Sequence, residues 1–173
     1  MSLQNKIDFA IIFTVNNANP NGDPLNGNRP RVDYDGYGEI TDVCLKRKIR
    51  DRLQGQSEAI FVQSDEKKTD GMPSLRERAI SKDHGLGSEA FNAKKTKPDV
   101  AAKMACDKWL DVRTFGQLFA FKGDGKEGVS IAVRGPVSIQ SAFSIEPISI
   151  TSTQITKSVS GEGDGSKKGS DTM

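Results

Sequence analysis

The sequence predicts an α+β domain, and three observations carry that reading. Apolar residues alternate near the N-terminus and again in the last third. Helical spacing marks two segments between those runs, and Gly, Pro and Asn punctuate the joints. Ile7, Phe9, Ile11, Phe13 and Val15 alternate with Asp8, Ala10, Ile12, Thr14 and Asn16, the period-two pattern of a strand over 6–16 with one face in a core. A turn-rich run follows from Asn16 to Arg31. Thr41 then supplies a helix cap and Gly55 a stop, so a helix is predicted over 41–54 with Leu45, Ile49 and Leu53 as its buried stripe. Ala59 to Val62 reads as a short second strand.

From Gln63 to about Lys97 the chain is polar, helical only around Pro73 to Ile80, and reads as an insertion that projects from the core. Pro98 ends it. Asp99 is placed to cap a second helix to about Leu110, with Val100, Ala101, Met104, Ala105 and Trp109 on its apolar side. Gln117 to Phe121 fits a short helix or a strand equally. Val129, Ile131 and Val133 alternate as a strand, Arg134-Gly135-Pro136 interrupts it, and the alternation resumes through Val137, Ile139, Ser141, Phe143 and Ile145. Ile148 and Ile150 open a further strand, and Ser158 to Met173 has the Gly/Ser/Lys/Asp composition of a flexible loop.

A chain of 173 residues makes one domain, or one domain with a long insertion. Hydrophobic residues at 35% and aromatics at 6% are modest, so a good part of the chain must lie outside the core. The formal net charge is only +2. No global basic field exists, and affinity for anions must come from local patches. Cys44 and Cys106 both fall in predicted helices and read as free thiols of a reducing compartment. With His84 as the single histidine they cannot build a zinc site. The longest apolar run is short of a membrane span and the N-terminus lacks a signal-peptide core. The expectation is a soluble, cytoplasmic protein with no membrane partner.

The run Asn16–Arg31, holding Arg29 and Arg31, leads towards a helix in which five cations (Lys46, Arg47, Lys48, Arg50, Arg52) face two anions (Asp42, Asp51). Turn backbone, guanidinium forks and a helix N-terminus all suit phosphate. On a helical wheel Lys46, Arg47 and Arg50 fan along one flank. The competing reading is a solvated face with a few i,i+4 pairs. Arg134 points either to solvent or into an anion site at a strand edge.

Other chemistries find little support. Asp33-Tyr34-Asp35-Gly36-Tyr37-Gly38-Glu39 resembles half a calcium loop without the full spacing, and reads as a turn. His84 lies far from any nucleophile elbow. The Gly-x-Gly pairs at Gly85, Gly123 and Gly161 do not sit between a strand and a helix, and no Walker lysine is present. No catalytic residue, metal or cofactor is therefore expected.

Four segments, in order, carry a family resemblance. They are Asn16–Leu53, Asp111–Phe121 (DVRTFGQLFAF), Gly128–Ile139 (GVSIAVRGPVSI) and Ser149–Val159 (SITSTQITKSV). Together they resemble the CRISPR-associated Cas seven family, the repeated backbone subunit of type I surveillance (Cascade) complexes, and most nearly its type I-C form. The resemblance implies an RNA-recognition-motif-like (ferredoxin-like) palm formed by 1–62 and 99–150, a finger-like insertion at 63–98, and the start of a thumb hairpin at 151–173.

It implies guide RNA, other copies of the chain and other Cascade subunits as partners, with target DNA reached through the guide. Arg29, Arg31, Lys46, Arg47, Arg50, Arg134, Thr153, Gln154 and Lys157 then become the expected RNA-binding residues, with Lys167 and Lys168 further along the thumb. Family members continue beyond the thumb, so ending at Met173 implies a shortened chain. Two alternatives stand beside this reading. One is a metal-dependent endoribonuclease of the type III backbone kind, using Asp33 or Asp35; the other is an inactive remnant.

Overall fold

The computed structural model describes residues 3–121 and 129–155. Its elements are β1 (Gly22–Asp23), β2 (Arg29–Pro30), β3 (Tyr37–Ile40), α1 (Asp42–Gln54), α2 (Leu75–Ile80), α3 (Pro98–Lys108), α4 (Leu110–Phe115), β4 (Gly116–Phe121), β5 (Val129–Arg134) and β6 (Ala142–Pro147). Helices and small antiparallel sheets bear out the α+β class. The chain divides into two compact units, Ile40–Ala142 and the residues on either side of it.

In the unit spanning Ile40–Ala142, α1 begins where the sequence places it. The Thr41 side chain accepts a hydrogen bond from the Cys44 N–H, and at the other end the Gly55 N–H donates to the Asp51 carbonyl and the Gln56 N–H to that of Leu53. Leu45, Ile49 and Leu53 are half-buried rather than the fully buried stripe expected. The deep core lies elsewhere. Phe61, Trp109 and Phe119 form its centre, with ring centroids 4.7 Å (Phe61–Trp109) and 5.1 Å (Phe61–Phe119) apart, and Ala101, Ala105, Val112 and Ile131 close around them.

Residues 116–121 resolve the open choice between helix and strand. β4 pairs antiparallel with β5 from Gly116↔Arg134 to Phe121↔Val129, which sets Phe119 opposite Ile131. Both are buried, while Leu118 and Ala120 on either side of Phe119 are exposed, the two-residue period of a half-covered sheet.

Four sequence expectations are corrected in this unit. The polar stretch 63–97 does not merely project: Ala79, Ala90 and Phe91 from it join the core cluster. α3 begins at Pro98 with Lys97 as its cap residue, so Asp99 falls inside the first turn instead of capping it. Of its predicted apolar side, Ala101, Ala105 and Trp109 are buried but Val100 and Met104 are exposed. Ile60 and Phe61 are buried, yet 59–62 joins no sheet among the described residues; side chains bind its backbone groups instead.

In the other unit, Asn16–Arg31 folds into a small hairpin. Gly22 pairs with Pro30 and Asp23 with Arg29, and a short 3₁₀ turn, Pro24–Asn26, is capped by Asp23. Several loop N–H groups are consumed internally: Leu25 donates to the Asp23 carboxylate, Asn28 to the Asp23 carbonyl and Arg31 to the Asn21 carbonyl. β3 pairs with β6, with the Gly38 N–H on Ser144 Oγ at 2.9 Å and the Ile148 N–H on the Gly36 carbonyl at 3.0 Å.

The strand predicted over 6–16 is not formed. Ile7, Phe9, Ile11, Ile12, Phe13 and Val15 are exposed, and no described strand pairs with the segment. Alternation records a capacity for pairing; a strand exists only where a neighbour takes its hydrogen bonds. Ile148 and Ile150 likewise lie outside any strand.

Candidate functional site

The first turn of α1 and the segment Gly135–Ser141 form two walls of an open, polar concavity of about 370 Å³. Asp42, Lys46, Phe115, Ser138, Gln140 and Ser141 are among its lining residues. Its walls are tied together locally. The Asp42 N–H donates to Ser141 Oγ at 3.3 Å, and the Val137 N–H to the Thr114 carbonyl at 3.0 Å. Gly135 is required where the chain leaves β5. A Cβ there would stand 2.3 Å from the Thr114 carbonyl oxygen and 2.4 Å from the Gly116 nitrogen, so no larger residue fits without moving backbone.

Inside the concavity Lys46 Nζ donates to Asp42 Oδ2 at 3.0 Å, an i,i+4 pair. That hydrogen bond is the main reason the Asp42 carboxyl titrates below the usual aspartate range. The two opposite charges sit among two hydroxyls and one amide, groups that hydrogen-bond to anions and sugars without regard to base identity.

The basic flank expected on α1 is divided by the structure. Lys46 lines the concavity. Arg50 turns inward instead: its Nε donates to Asp111 Oδ2 at 3.0 Å with only 13% of its side chain exposed. Its guanidinium carbon lies 5.1 Å from the centroid of Phe115, so the same side chain backs one wall of the concavity. Arg47 pairs with Asp51 at 2.7 Å and donates to the Val62 carbonyl at 2.6 Å.

These bonds belong to a polar clamp on the buried segment Phe61–Val62. The Asp111 carboxylate accepts both N–H groups, Arg47 takes the Val62 carbonyl, and Arg78 takes the Phe61 carbonyl at 3.0 Å. Arg78 is itself buried and paired with Asp70 through two hydrogen bonds. The wheel that fanned Lys46, Arg47 and Arg50 over one free flank is therefore corrected. Two of the three are tied down because backbone polar groups in a dry core need partners.

The remaining expected residues are scattered. Arg134 is exposed at the end of β5, adjoining the Gly135 wall. Arg29 is exposed in β2, and Arg31 is ion-paired with Glu39 at 3.1 Å; both belong to the other unit. Thr153 and Gln154 are exposed and lie in no helix or strand. Lys157, Lys167 and Lys168 lie outside the described residues. Asp42, Ser138, Gln140 and Ser141 were missed as site residues. The Pro-interrupted strand pattern at 134–137 was the only signal that this segment departs from a flat ladder.

The calcium-like loop is a turn, as expected. Asp33 Oδ1 accepts the N–H groups of Asp35 and Tyr37. Among the described residues no cluster of three or more His, Cys, Asp or Glu side chains is arranged to hold a metal. Cys44 and Cys106 are unbridged, and no described helix is long and apolar enough to cross a membrane.

The family model for CRISPR-associated protein Cas7 matches residues 5–173. The chain belongs to the Cas7 family. It is also 38% identical over 128 residues to a CRISPR-associated protein Cas7 of Haloferax volcanii, a match covering 73% of this chain and 36% of that protein. The matched part of this Cas7 family member thus spans about a third of its relative's length. The match takes in the α1 turn, the concavity and the Asp111 clamp alike.

Proposed function

We propose that this Cas7 family member is a non-catalytic backbone subunit that grips CRISPR guide RNA without reading its sequence. It would act in several copies within a cytoplasmic type I surveillance complex, most nearly of the type I-C kind, alongside other Cascade subunits. Each copy would leave the guide bases free to pair with target DNA. In this reading the described residues belong to an RNA-recognition-motif-like palm with a finger-like insertion at 63–98, and 151–173 opens the thumb.

The observation that carries the proposal is the concavity at the start of α1. An ammonium group, two hydroxyls and an amide converge there, the equipment for phosphate and ribose. Lys46 is the central contact of that site, and Arg134, Arg29, Thr153, Gln154 and Lys157 are proposed as further, separate RNA contacts. Arg31, Arg47 and Arg50 contribute chiefly by holding the scaffold that presents these groups.

Titrating the chain against guide RNA and against unrelated single strands, over a range of salt, tests this. Lys46→Ala is expected to weaken binding of every sequence alike and to reduce the magnitude of the salt slope by about 0.7, the value of one phosphate contact on a single strand. Light scattering should show added copies as the RNA lengthens. A loss confined to one sequence, or wild-type protein that ignores RNA, would remove the proposal.

A further inference from the structure

We infer that Asp42 is an affinity-limiting residue of the RNA site, a built-in carboxylate that occupies Lys46 until a phosphate displaces it. This inference rests on the RNA-binding reading of the concavity. The geometry is specific to these two residues. Asp42 stands at the first position of α1, its N–H held by Ser141 Oγ, and its Oδ2 takes the Lys46 ammonium at 3.0 Å. Both side chains line the same open space as Ser138 and Gln140.

A carboxylate at the N-terminal turn of a helix answers the same donors and the same partial positive charge as a phosphate oxygen. An incoming phosphate therefore finds its best cation already engaged, beside a negative charge that repels it. The pair is accessible to that exchange, because the side chains of Lys46 and Asp42 are 26% and 41% exposed. Arg50 cannot substitute for Lys46, since its carboxylate partner is buried at 1% exposure.

The consequence is a weak grip by each copy. A single phosphate gains little from exchanging one anion for another, whereas a strand crossing several copies sums many such exchanges. Asp42 thus keeps the affinity of each copy for a single phosphate low, so that tight binding requires a strand spanning several copies.

The test is a double-mutant cycle on RNA binding, with wild type, Asp42→Asn, Lys46→Ala and the double variant, each checked for native helix content by circular dichroism. Asparagine keeps the helix-start geometry while removing the charge. Asp42→Asn is expected to bind single-stranded RNA about two- to fivefold more tightly, the range of an exposed ion pair. The gain should largely vanish in the Lys46→Ala background.

A gain of the same size without Lys46 would show simple charge repulsion and overturn the inference, as would unchanged or weaker binding by Asp42→Asn. Wild-type protein and every variant failing to bind RNA would instead bring down the RNA-binding reading itself.

Discussion

Removing the carboxylate of Asp111 would strip acceptors from three donors at once. The N–H groups of Phe61 and Val62 and the guanidinium of Arg50 all converge on it. Asp111→Ala is expected to cost about 3–5 kcal/mol, the usual result of leaving one buried charge without its partner, read as a fall in the urea midpoint. A fall of only a few tenths would show that water can replace the carboxylate.

Asp70 gives a second residue-level test. Its hydrogen bonds from Arg78 hold its pKa down at about 2, against an ordinary value of 3.8. A depressed carboxylate contributes stability in full above its unfolded pKa and loses it as pH falls towards the folded one. The urea midpoint of wild type should therefore decline between about pH 4 and pH 2 through this group. Asp70→Asn, already destabilised at neutral pH, should lack that part of the decline. Parallel pH curves for the two proteins would contradict the pairing.

At the scale of elements, β4 and β5 depend on a backbone contact that a side chain would block. Gly116 adopts a φ of +82°, and a Cβ on it would lie 2.5 Å from the Val133 carbonyl oxygen. Gly116→Ala therefore combines left-handed strain with a backbone clash and should cost at least about 1 kcal/mol. Thermal melting is the direct measurement, and an unchanged melting temperature would mean that the strand register gives way freely.

Much of this element-level layout is legible in the sequence. Thr41 and Gly55 state their helix ends in local chemistry, and the alternation about Phe119 and Ile131 is simple once the strand is chosen. Which neighbours Ile7 to Val15 pair with is not written locally, so the same alternation predicts a strand that the structure lacks.

At the scale of the whole molecule, the chain has both an exposed apolar run from Ile7 to Val15 in one unit and a well-packed core in the other. β6 adds Phe143 and Ile145, also exposed. Exposed apolar side chains in this number bind hydrophobic dyes. Replacing Ile7, Phe9, Ile11 and Phe13 together by Ser should lower ANS fluorescence markedly. The melting transition of the Phe61–Trp109–Phe119 core should hardly change, because none of the four residues belongs to that cluster. Loss of the transition would show that the segment packs on the core in solution.

The sequence by itself determined the family, through four long segments in order. It also determined the α+β class, the span of α1 and the concentration of cations on that helix. Those are properties of residue order and of interactions a few positions apart. Only the tertiary structure decided which cations remain available. Arg47 and Arg50 were drawn to Val62 and to Asp111, 15 and 61 residues away along the chain, because a buried backbone segment outside any sheet must satisfy its polar groups with side chains. It likewise brought Ser138, Gln140 and Ser141 to the start of α1, almost a hundred residues distant in sequence. A helical wheel knows the angle at which a side chain leaves its helix. It carries no information about which unsatisfied carbonyl or carboxylate lies in that direction.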